Sequence, residues 1–136
     1  MPHLQVEKIH GPARRAVTKG LVAFNKKAVG ISDYGLLTVT LRDGKEIVGG
    51  LTGMIWLGWL YVEILWIDGK YRGKRHGTAL VRKAESEARK RGIRHVFLNS
   101  FSFQAPGFYK KLGYKEFGRL GNLPGGHTRH WLKKTL

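Results

Sequence analysis

The chain has 136 residues with 25 Lys or Arg against 9 Asp or Glu, so its formal net charge at pH 7 is +16. A hydrophobic content of 42% supports a folded core and excludes a disordered tail, and the absence of cysteine excludes disulfide staples, thiol catalysis and thiolate zinc sites. The most apolar segment, residues 54–67, is shorter than the about 20 residues that cross a bilayer. We therefore expect one cytoplasmic domain over residues 1–136, with no membrane insertion.

The first half of the chain predicts a helix followed by a meander of strands. Pro12 suits the first turn of a helix, and apolar residues recur at steps of three and four up to Gly30, which predicts a helix over residues 12–29. Turns at Asp43-Gly44 and at Gly58 indicate two antiparallel hairpins. The strands that these turns join are predicted over residues 36–42, 47–56 and 59–67.

The second half begins with a loop rich in glycine and cations, residues 69–77, which leads into a helix that ends at Gly92. The remaining elements are predicted as a strand over 93–98, a short helix over 106–112, and strands over 114–117 and 128–132. Together the elements predict an α+β domain with a mainly antiparallel sheet flanked by helices.

The strand, cationic loop and helix at residues 59–92 form an arrangement that binds phosphate. Amides of the loop and of the first helical turn lack intrahelical partners, and the helix dipole favours an anion there. The spacing matches neither a nucleoside-triphosphate loop nor a dinucleotide loop. On spacing alone, a solvated basic loop remains the alternative.

Two segments resemble the signatures of the GNAT superfamily of N-acetyltransferases. Arg72-Gly73-Lys74-Arg75-His76-Gly77 followed by Thr78-Ala79-Leu80 is similar to the acetyl-coenzyme A loop, and Phe108-Tyr109-Lys110-Lys111-Leu112-Gly113-Tyr114 is similar to the second signature. The resemblance implies a GNAT-like sheet with a strand–loop–helix acetyl-coenzyme A (acetyl-CoA) site, and direct acetyl transfer to a primary amine.

Arg75 departs from that pattern, because it stands where the loop usually has its first glycine. A positive φ at Arg75 would let its side chain crowd the pyrophosphate. A negative φ would keep the amide available and add a charge-assisted contact, and this is the outcome we favour.

Glu63 is the candidate general base, because it is the only acid within an apolar strand and matches an acidic position that the resemblance implies. We expect partial desolvation there and a strand face shared with Tyr61, Leu65 and Ile67. A strand residue that merely faces water is the alternative, and Asp33 is a weaker substitute.

Tyr109 is the candidate general acid, since a neutral phenol can protonate a departing thiolate. The resemblance implies this role, and an aromatic residue that only packs is the alternative.

The resemblance also implies a set of cofactor-binding residues. Backbone groups of Leu65, Trp66 and Ile67 would pair with pantetheine amides, one amide also serving the oxyanion, and Asn99 would meet the pantetheine unless it is a plain turn residue. Lys111, like Lys110, would reach the nucleotide phosphate unless it lies on a solvated helix face. The residues expected at the pyrophosphate are Arg72, Gly73, Lys74, Arg75, His76, Gly77 and Thr78. No metal site is expected, because His127 and His130 project to opposite faces of a strand.

The positive charge is concentrated in the second half: residues 1–68 hold 8 Lys or Arg and 6 Asp or Glu, whereas residues 69–136 hold 17 and 3. Such a surface binds polyanions non-specifically. The alternatives to an acetyltransferase of small-molecule or peptide amines are therefore a polycation-type nucleic-acid-binding protein and an acetyltransferase of aminoacyl-tRNA. An engineered, positively supercharged surface is the explanation of the charge that we favour. The chain is expected to be a monomer or a homodimer.

Overall fold

The computed structural model describes residues 1–30 and 34–136, and the chain divides into two units, residues 1–32 and 33–136. The first unit holds helix α1 (Gly11–Val29), as predicted, with a proline in its first turn. Gly30 ends the helix in the left-handed conformation, with φ of 68°, and its N–H donates to the Lys26 carbonyl at 2.8 Å. Asp33, the weaker candidate base, lies outside the described residues, and the single-domain organisation stays a prediction.

The second unit is a six-stranded sheet with two helices. Its strand order is β1-β2-β3-β4-β6-β5, and every neighbouring pair is antiparallel except β3 and β4. The predicted α+β class with a mainly antiparallel sheet is therefore confirmed. The elements are β1 (Gly35–Asp43), β2 (Glu46–Trp56), β3 (Trp59–Ile67), α2 (His76–Lys90), β4 (His95–Phe101), α3 (Pro106–Lys111), β5 (Lys115–Gly121) and β6 (Thr128–Thr135).

Several boundaries differ from the sequence prediction, and the largest difference is at β5, which ends at Gly121 rather than at residue 117. Helix α2 begins at His76, inside the predicted loop, while β4 reaches Phe101 and β6 reaches Thr135. The two strands pair along their whole length, from His95 opposite Thr135 to Phe101 opposite Arg129. Apolar periodicity did not predict these extensions because several of the added residues are polar, and one face of an antiparallel pair tolerates polar side chains.

Helix α2 packs on one face of the sheet. Its buried residues, which include Leu80, Val81 and Ala84, follow the three-and-four spacing that the sequence shows. They join one apolar cluster with buried residues of β1 to β4 and β6. This cluster fixes the positions of α2 and of the strands around the site. None of the described helices is long and apolar enough to span a membrane.

The parallel pairing of β3 with β4 is short, and it ends where Val62 lies opposite Leu98. Both strands continue beyond this point, β3 to Ile67 and β4 to Phe101, without pairing to each other. The sheet therefore opens into a gap between the ends of these two strands.

Candidate functional site

A cavity of about 280 Å³ lies in the gap between β3 and β4. It brings together three residues that the sequence analysis selected for different reasons, namely Glu63, Asn99 and Tyr109. Leu65, predicted for its backbone, also lines it. The other residues that line the cavity are Val62, Ile64, Ser100, Gln104, Ala105 and Phe108.

Glu63 is the extra residue of a β-bulge. Thr52 of β2 lies opposite Ile64, but the next residue, Gly53, lies opposite Val62, so Glu63 has no partner on β2. A bulge bends its strand and increases the local twist, which turns β3 away from β4 at the last parallel pair. The bulge thus places Glu63 at the point where the sheet opens.

The bulge overturns two expectations about Glu63. Its side chain is exposed rather than desolvated. Leu65 and Ile67 do not share its face, because the inserted residue reverses the alternation: they lie opposite Leu51 and Gly49 and pack against the apolar cluster beneath α2. Tyr61, which precedes the bulge, lies on the face of the sheet opposite to Leu65 and Ile67.

The end of β3 presents backbone groups to the gap. The Asp68 amide donates to the Val48 carbonyl of β2 at 2.8 Å. Since successive residues of a strand direct their backbone groups to opposite sides, Trp66 also faces β2, while Leu65 and Ile67 face the gap. The Ile67 carbonyl already accepts a hydrogen bond from Arg72 Nε at 2.9 Å. Of the three predicted residues, Leu65 is therefore the best placed to pair with an extended ligand.

The loop before α2 concentrates positive charge at the helix N-terminus. Lys74 and Arg75 are exposed, as is Arg72 despite its bond to β3. Gly73 has φ of 77°, a left-handed conformation that favours glycine. The first intrahelical bond from this end joins the Ala79 N–H to the Arg75 carbonyl at 3.1 Å. Because intrahelical bonding begins at Ala79, the preceding amides of the first turn remain available for an anion.

Arg75 itself contradicts the favoured expectation of negative φ. It is the residue before the first helical position, with φ of 64° and ψ of 18°, and its side chain makes no capping hydrogen bond. A left-handed conformation costs an L-residue roughly 1–2 kcal/mol. The expected negative φ is therefore wrong: the loop keeps the backbone shape of a glycine and imposes it on arginine. That the loop still accepts the pyrophosphate with arginine at this position stays a prediction.

The first turn of α2, residues 76–78, packs against the cavity wall. A Cβ atom built on Gly77 would lie 3.2 Å from Cζ of Phe108 and 3.5 Å from Cδ1 of Ile67. Glycine therefore allows the helix terminus to approach the end of β3 and α3 closely. His76 and Thr78 flank it, and both are half-buried.

Tyr109 lies on α3 and is 8% exposed. Its ring packs edge-to-face against Phe108 and Tyr114, so the packing role that was the alternative is present. Its hydroxyl makes no hydrogen bond to any residue in 1–30 or 34–136. Burial raises the pKa of the Tyr109 hydroxyl to about 12, which keeps this group protonated at neutral pH.

Asn99 is held from two sides. Its Nδ2 donates to the Tyr61 hydroxyl at 3.0 Å, and its Oδ1 accepts from Arg129 Nε at 2.9 Å. The sequence analysis assigned no role to Tyr61 or Arg129. Alternation along a strand indicates which side chains share a face with Tyr61 on β3 and with Arg129 on β6. The sequence does not show that β4, which carries Asn99, lies between these two strands.

A buried carboxylate also escaped the sequence analysis. Glu85 of α2 is 1% exposed and accepts hydrogen bonds from the Tyr114 hydroxyl and from Lys134 Nζ, both at 2.9 Å. Burial and the neighbouring Glu85 charge raise the pKa of Tyr114. Lys134 Nζ also donates to the Leu112 carbonyl at the end of α3. This network joins α2, α3 and β6 beneath the cavity and does not line it.

Two further predictions concern residues away from the cavity. Lys111 is exposed on α3 and does not line the cavity. His127 and His130 have separate partners: Nδ1 of His127 lies 3.1 Å from Ser102 Oγ, and His130 bonds Glu116. Within residues 1–30 and 34–136, no three His, Asp or Glu side chains cluster as metal ligands would.

Comparisons with known proteins point to one family. Residues 13–114 match the model of the acetyltransferase (GNAT) family. The chain is 37% identical to an acetyltransferase of Agrobacterium fabrum, with 90% of each chain covered. It is 35% identical to the blasticidin-S acetyltransferase of Streptomyces morookaense, with 100% of this chain and 98% of the relative covered. A crystal structure of an acetyltransferase from Bacillus cereus superposes with a TM-score of 0.87 at 30% identity, covering 99% of this chain and 98% of that one.

Proposed function

Because the chain belongs to the GNAT family and is an acetyl-CoA-dependent N-acetyltransferase, we propose that it acetylates a primary amine directly at the cavity between β3 and β4. The observation that carries the proposal is that Glu63 and Tyr109 line the same cavity, at the opening of the sheet. One residue can remove a proton and the other can supply one. No covalent enzyme intermediate is needed.

The described residues fit acetyl-CoA, which supplies the acetyl group as a thioester. The gap-facing backbone of Leu65 can pair with the amides of an extended pantetheine chain, as another strand would. The free amides at the start of α2 and the charges of Arg72 and Lys74 suit a pyrophosphate, whereas the positive φ of Arg75 is the conformation in which its side chain would crowd this group. The Leu65 N–H is also the donor best placed to stabilise charge on the thioester oxygen.

Glu63 acts as the general base. An aliphatic amine, with a reference pKa of about 10.4, is protonated at neutral pH and must lose protons before and during attack. The exposed carboxylate of Glu63 accepts this proton through water and passes it to solvent. Exposure therefore suits a relay of this kind, although it removes the desolvation that the sequence suggested.

Tyr109 stabilises the leaving thiolate by donating its hydroxyl proton toward the sulfur. The Tyr109 hydroxyl, whose pKa burial raises to about 12, is a weaker acid than a thiol with a reference pKa of about 8.5, so complete proton transfer to a solvated thiolate is unfavourable. Burial that raises the pKa of the phenol also destabilises a thiolate in the same cavity, which reduces the difference in pKa between the two groups. We infer that Tyr109 chiefly donates a strong hydrogen bond, and completes the transfer as the thiol leaves.

The acceptor is a small amine. The cavity volume of about 280 Å³ lies at the lower end of ligand pockets. The relative from Streptomyces morookaense is named for blasticidin S, which makes this antibiotic the first acceptor to test. Peptide amines are the other predicted class.

The test is release of free thiol from acetyl-CoA in the presence of an amine. The chain contains no cysteine, so a thiol reagent reports only the coenzyme. We expect Glu63→Gln to lower kcat for blasticidin S, or for the best amine of a panel, by about 100-fold at neutral pH, as for the loss of a general base. The rate of this variant should recover partly as pH rises and free amine accumulates.

Glu46→Gln is the matched control, because it makes the same change at an exposed acid of β2 that does not line the cavity. It should leave kcat within about two-fold of the parent. Equal kcat values for Glu63→Gln and the parent would remove Glu63 from the reaction. Thiol release that no amine accelerates would reject the proposed function.

The nucleic-acid alternatives, the engineered surface, the oligomeric state and the cytoplasmic location stay predictions. Binding by charge alone would be uniform across nucleic-acid sequences and would disappear as salt rises. A gel-shift series at increasing ionic strength tests this, and sequence-selective binding that survives moderate salt would favour a nucleic-acid partner instead.

A further inference from the structure

Arg129 of β6 is held in place beside the cavity by three neighbours. Its Nε donates to Asn99 Oδ1 at 2.9 Å. Its guanidinium carbon lies 5.1 Å from the ring centroid of Phe101 and 4.8 Å from that of Trp131. These contacts are favourable cation–π geometries and fix the orientation of the planar group.

The outer end of the guanidinium remains available. A guanidinium carries five N–H donors, and the bond to Asn99 uses only the one on Nε. The two Nη atoms make no hydrogen bond or ion pair within residues 1–30 and 34–136, and the side chain is only half-buried. An oriented pair of Nη groups is the geometry that binds a carboxylate through two parallel hydrogen bonds.

Arg129 is close to the point of acetyl transfer. Val62 and Leu98 form the last parallel pair, and Glu63 and Asn99 are the next residues on their strands. Paired strands are about 4.8 Å apart, so Glu63 and Asn99 each follow a residue of this closely spaced pair, and both line the cavity that opens beyond it. Asn99 lines the cavity, and Arg129 lies one hydrogen bond beyond it.

We propose that Arg129 binds a carboxylate of the acceptor, so that the preferred substrate is an amine that also carries a carboxylate group. This assignment rests on the proposed function, and specifies its substrate class. The net charge of +16 repels a purely cationic amine but not a zwitterion. Glu63 receives the ammonium end, while Arg129 anchors the carboxylate end.

A role of Arg129 in binding the carboxylate can be distinguished from a role in positioning Asn99 and Tyr61. If Arg129 only held Asn99 and Tyr61 in place, its loss would slow the acetylation of every amine to the same degree. A carboxylate anchor instead predicts a loss that is confined to carboxylate-bearing acceptors, expressed mainly in KM.

The test compares matched pairs of acceptors by thiol release from acetyl-CoA. The common α-amino acids, β-alanine and 4-aminobutyrate are each compared with their carboxamides. We expect kcat/KM to favour the carboxylate by about 10- to 100-fold in the best pair, as for a charge-assisted, bidentate bond. This comparison uses the parent enzyme and needs no variant to fold.

Arg129→Lys keeps the positive charge but loses the fork. We expect KM for the preferred carboxylate to rise about 10-fold, with little change for its carboxamide. Arg89→Lys, the same change at an exposed site on α2, is the control and should change neither.

Equal kcat/KM within every pair, or an equal loss on both members in Arg129→Lys, would overturn the assignment of Arg129. The proposed function would survive either result, because amines would still be acetylated. If neither of the two acceptor series, nor blasticidin S, nor any peptide amine accelerates thiol release from acetyl-CoA, the proposed function itself fails, and the assignment fails with it.

Discussion

Replacement of Arg75 by glycine should stabilise this protein, although glycine normally destabilises a chain. Arg75 has φ of 64°, and its side chain is exposed and makes no capping hydrogen bond. The substitution therefore removes backbone strain and gives up no capping bond.

The magnitude follows from two opposing terms. Relief of the left-handed conformation contributes roughly 1–2 kcal/mol. The larger conformational freedom of glycine in the unfolded chain costs roughly 0.5–1 kcal/mol. The net gain should be about 1 kcal/mol, which corresponds to about 3 °C in Tm for a domain of this size.

Thermal and urea unfolding of Arg75→Gly, Arg75→Ala and Lys74→Gly test this reasoning. Alanine keeps the strain and should change the free energy of unfolding by less than about 0.5 kcal/mol. Lys74 is the adjacent exposed cation and has no positive φ, so glycine there removes the same charge and should destabilise by about 0.5–1 kcal/mol. Opposite signs for the two glycine variants isolate the backbone effect from the charge effect. A destabilised Arg75→Gly, or equal shifts at the two positions, would refute the assignment of strain to Arg75.

Three other predictions concern the site and its support. Tyr109→Phe should lower kcat by about 10- to 100-fold without raising KM for acetyl-CoA, and an unchanged kcat in this variant would exclude the role of Tyr109 in the reaction. Because the pKa of Tyr109 is raised to about 12, ionisation of Tyr109 should not lower kcat of the parent between about pH 7 and 10. Lys134→Met should lower the free energy of unfolding in urea by about 1–3 kcal/mol, because it removes one of the two cations that pair with the buried Glu85 carboxylate and leaves only the more exposed Arg82. Adding Glu85→Gln should recover part of that loss, whereas additive losses would contradict a coupled pair. Hydrogen bonds from His130 and then Arg119 lower the pKa of Glu116 to about 2. The ionised Glu116 therefore stabilises the protein fully above about pH 5, and this contribution is lost as pH falls toward 2. Glu116→Gln should reduce the decrease in the free energy of unfolding over this acid range, and an unaltered decrease would show that other groups control it.

The sequence predicted the elements whose signals are local. The order of elements and the fold class followed from signals that each depend on a few adjacent residues. These are the proline at the start of α1, the apolar spacing of α2, and the hairpin turn, which was predicted at Asp43-Gly44 and lies one residue later at Gly44-Lys45. The loop and Glu63 were selected from the residues themselves and from a family resemblance, whereas the role of Tyr109 came chiefly from the resemblance. The structure places both side chains at one cavity, although their catalytic roles stay proposals.

What the sequence missed depends on the third dimension. Glu85 reads as an exposed acid on a charged helix, because its partner Lys134 lies 49 positions away and no local pattern joins them. Asn99 was predicted as a ligand contact, but its amide is already bonded to Tyr61 and Arg129. A side chain on β4 meets β3 and β6 only once the strand order is known.

The inserted residue at Glu63 connects several properties of the site. A regular β3 would keep alternating, and Leu65 would then face away from α2. The bulge instead leaves Leu65 and Ile67 on the apolar cluster, which holds the end of β3 against β2 and α2 while the twist separates it from β4. The same insertion that places the candidate base at the start of the gap also leaves the Leu65 backbone facing the gap. The candidate base, the proposed oxyanion donor and the proposed cofactor groove therefore depend on the same extra residue, in a strand whose sequence shows no interruption.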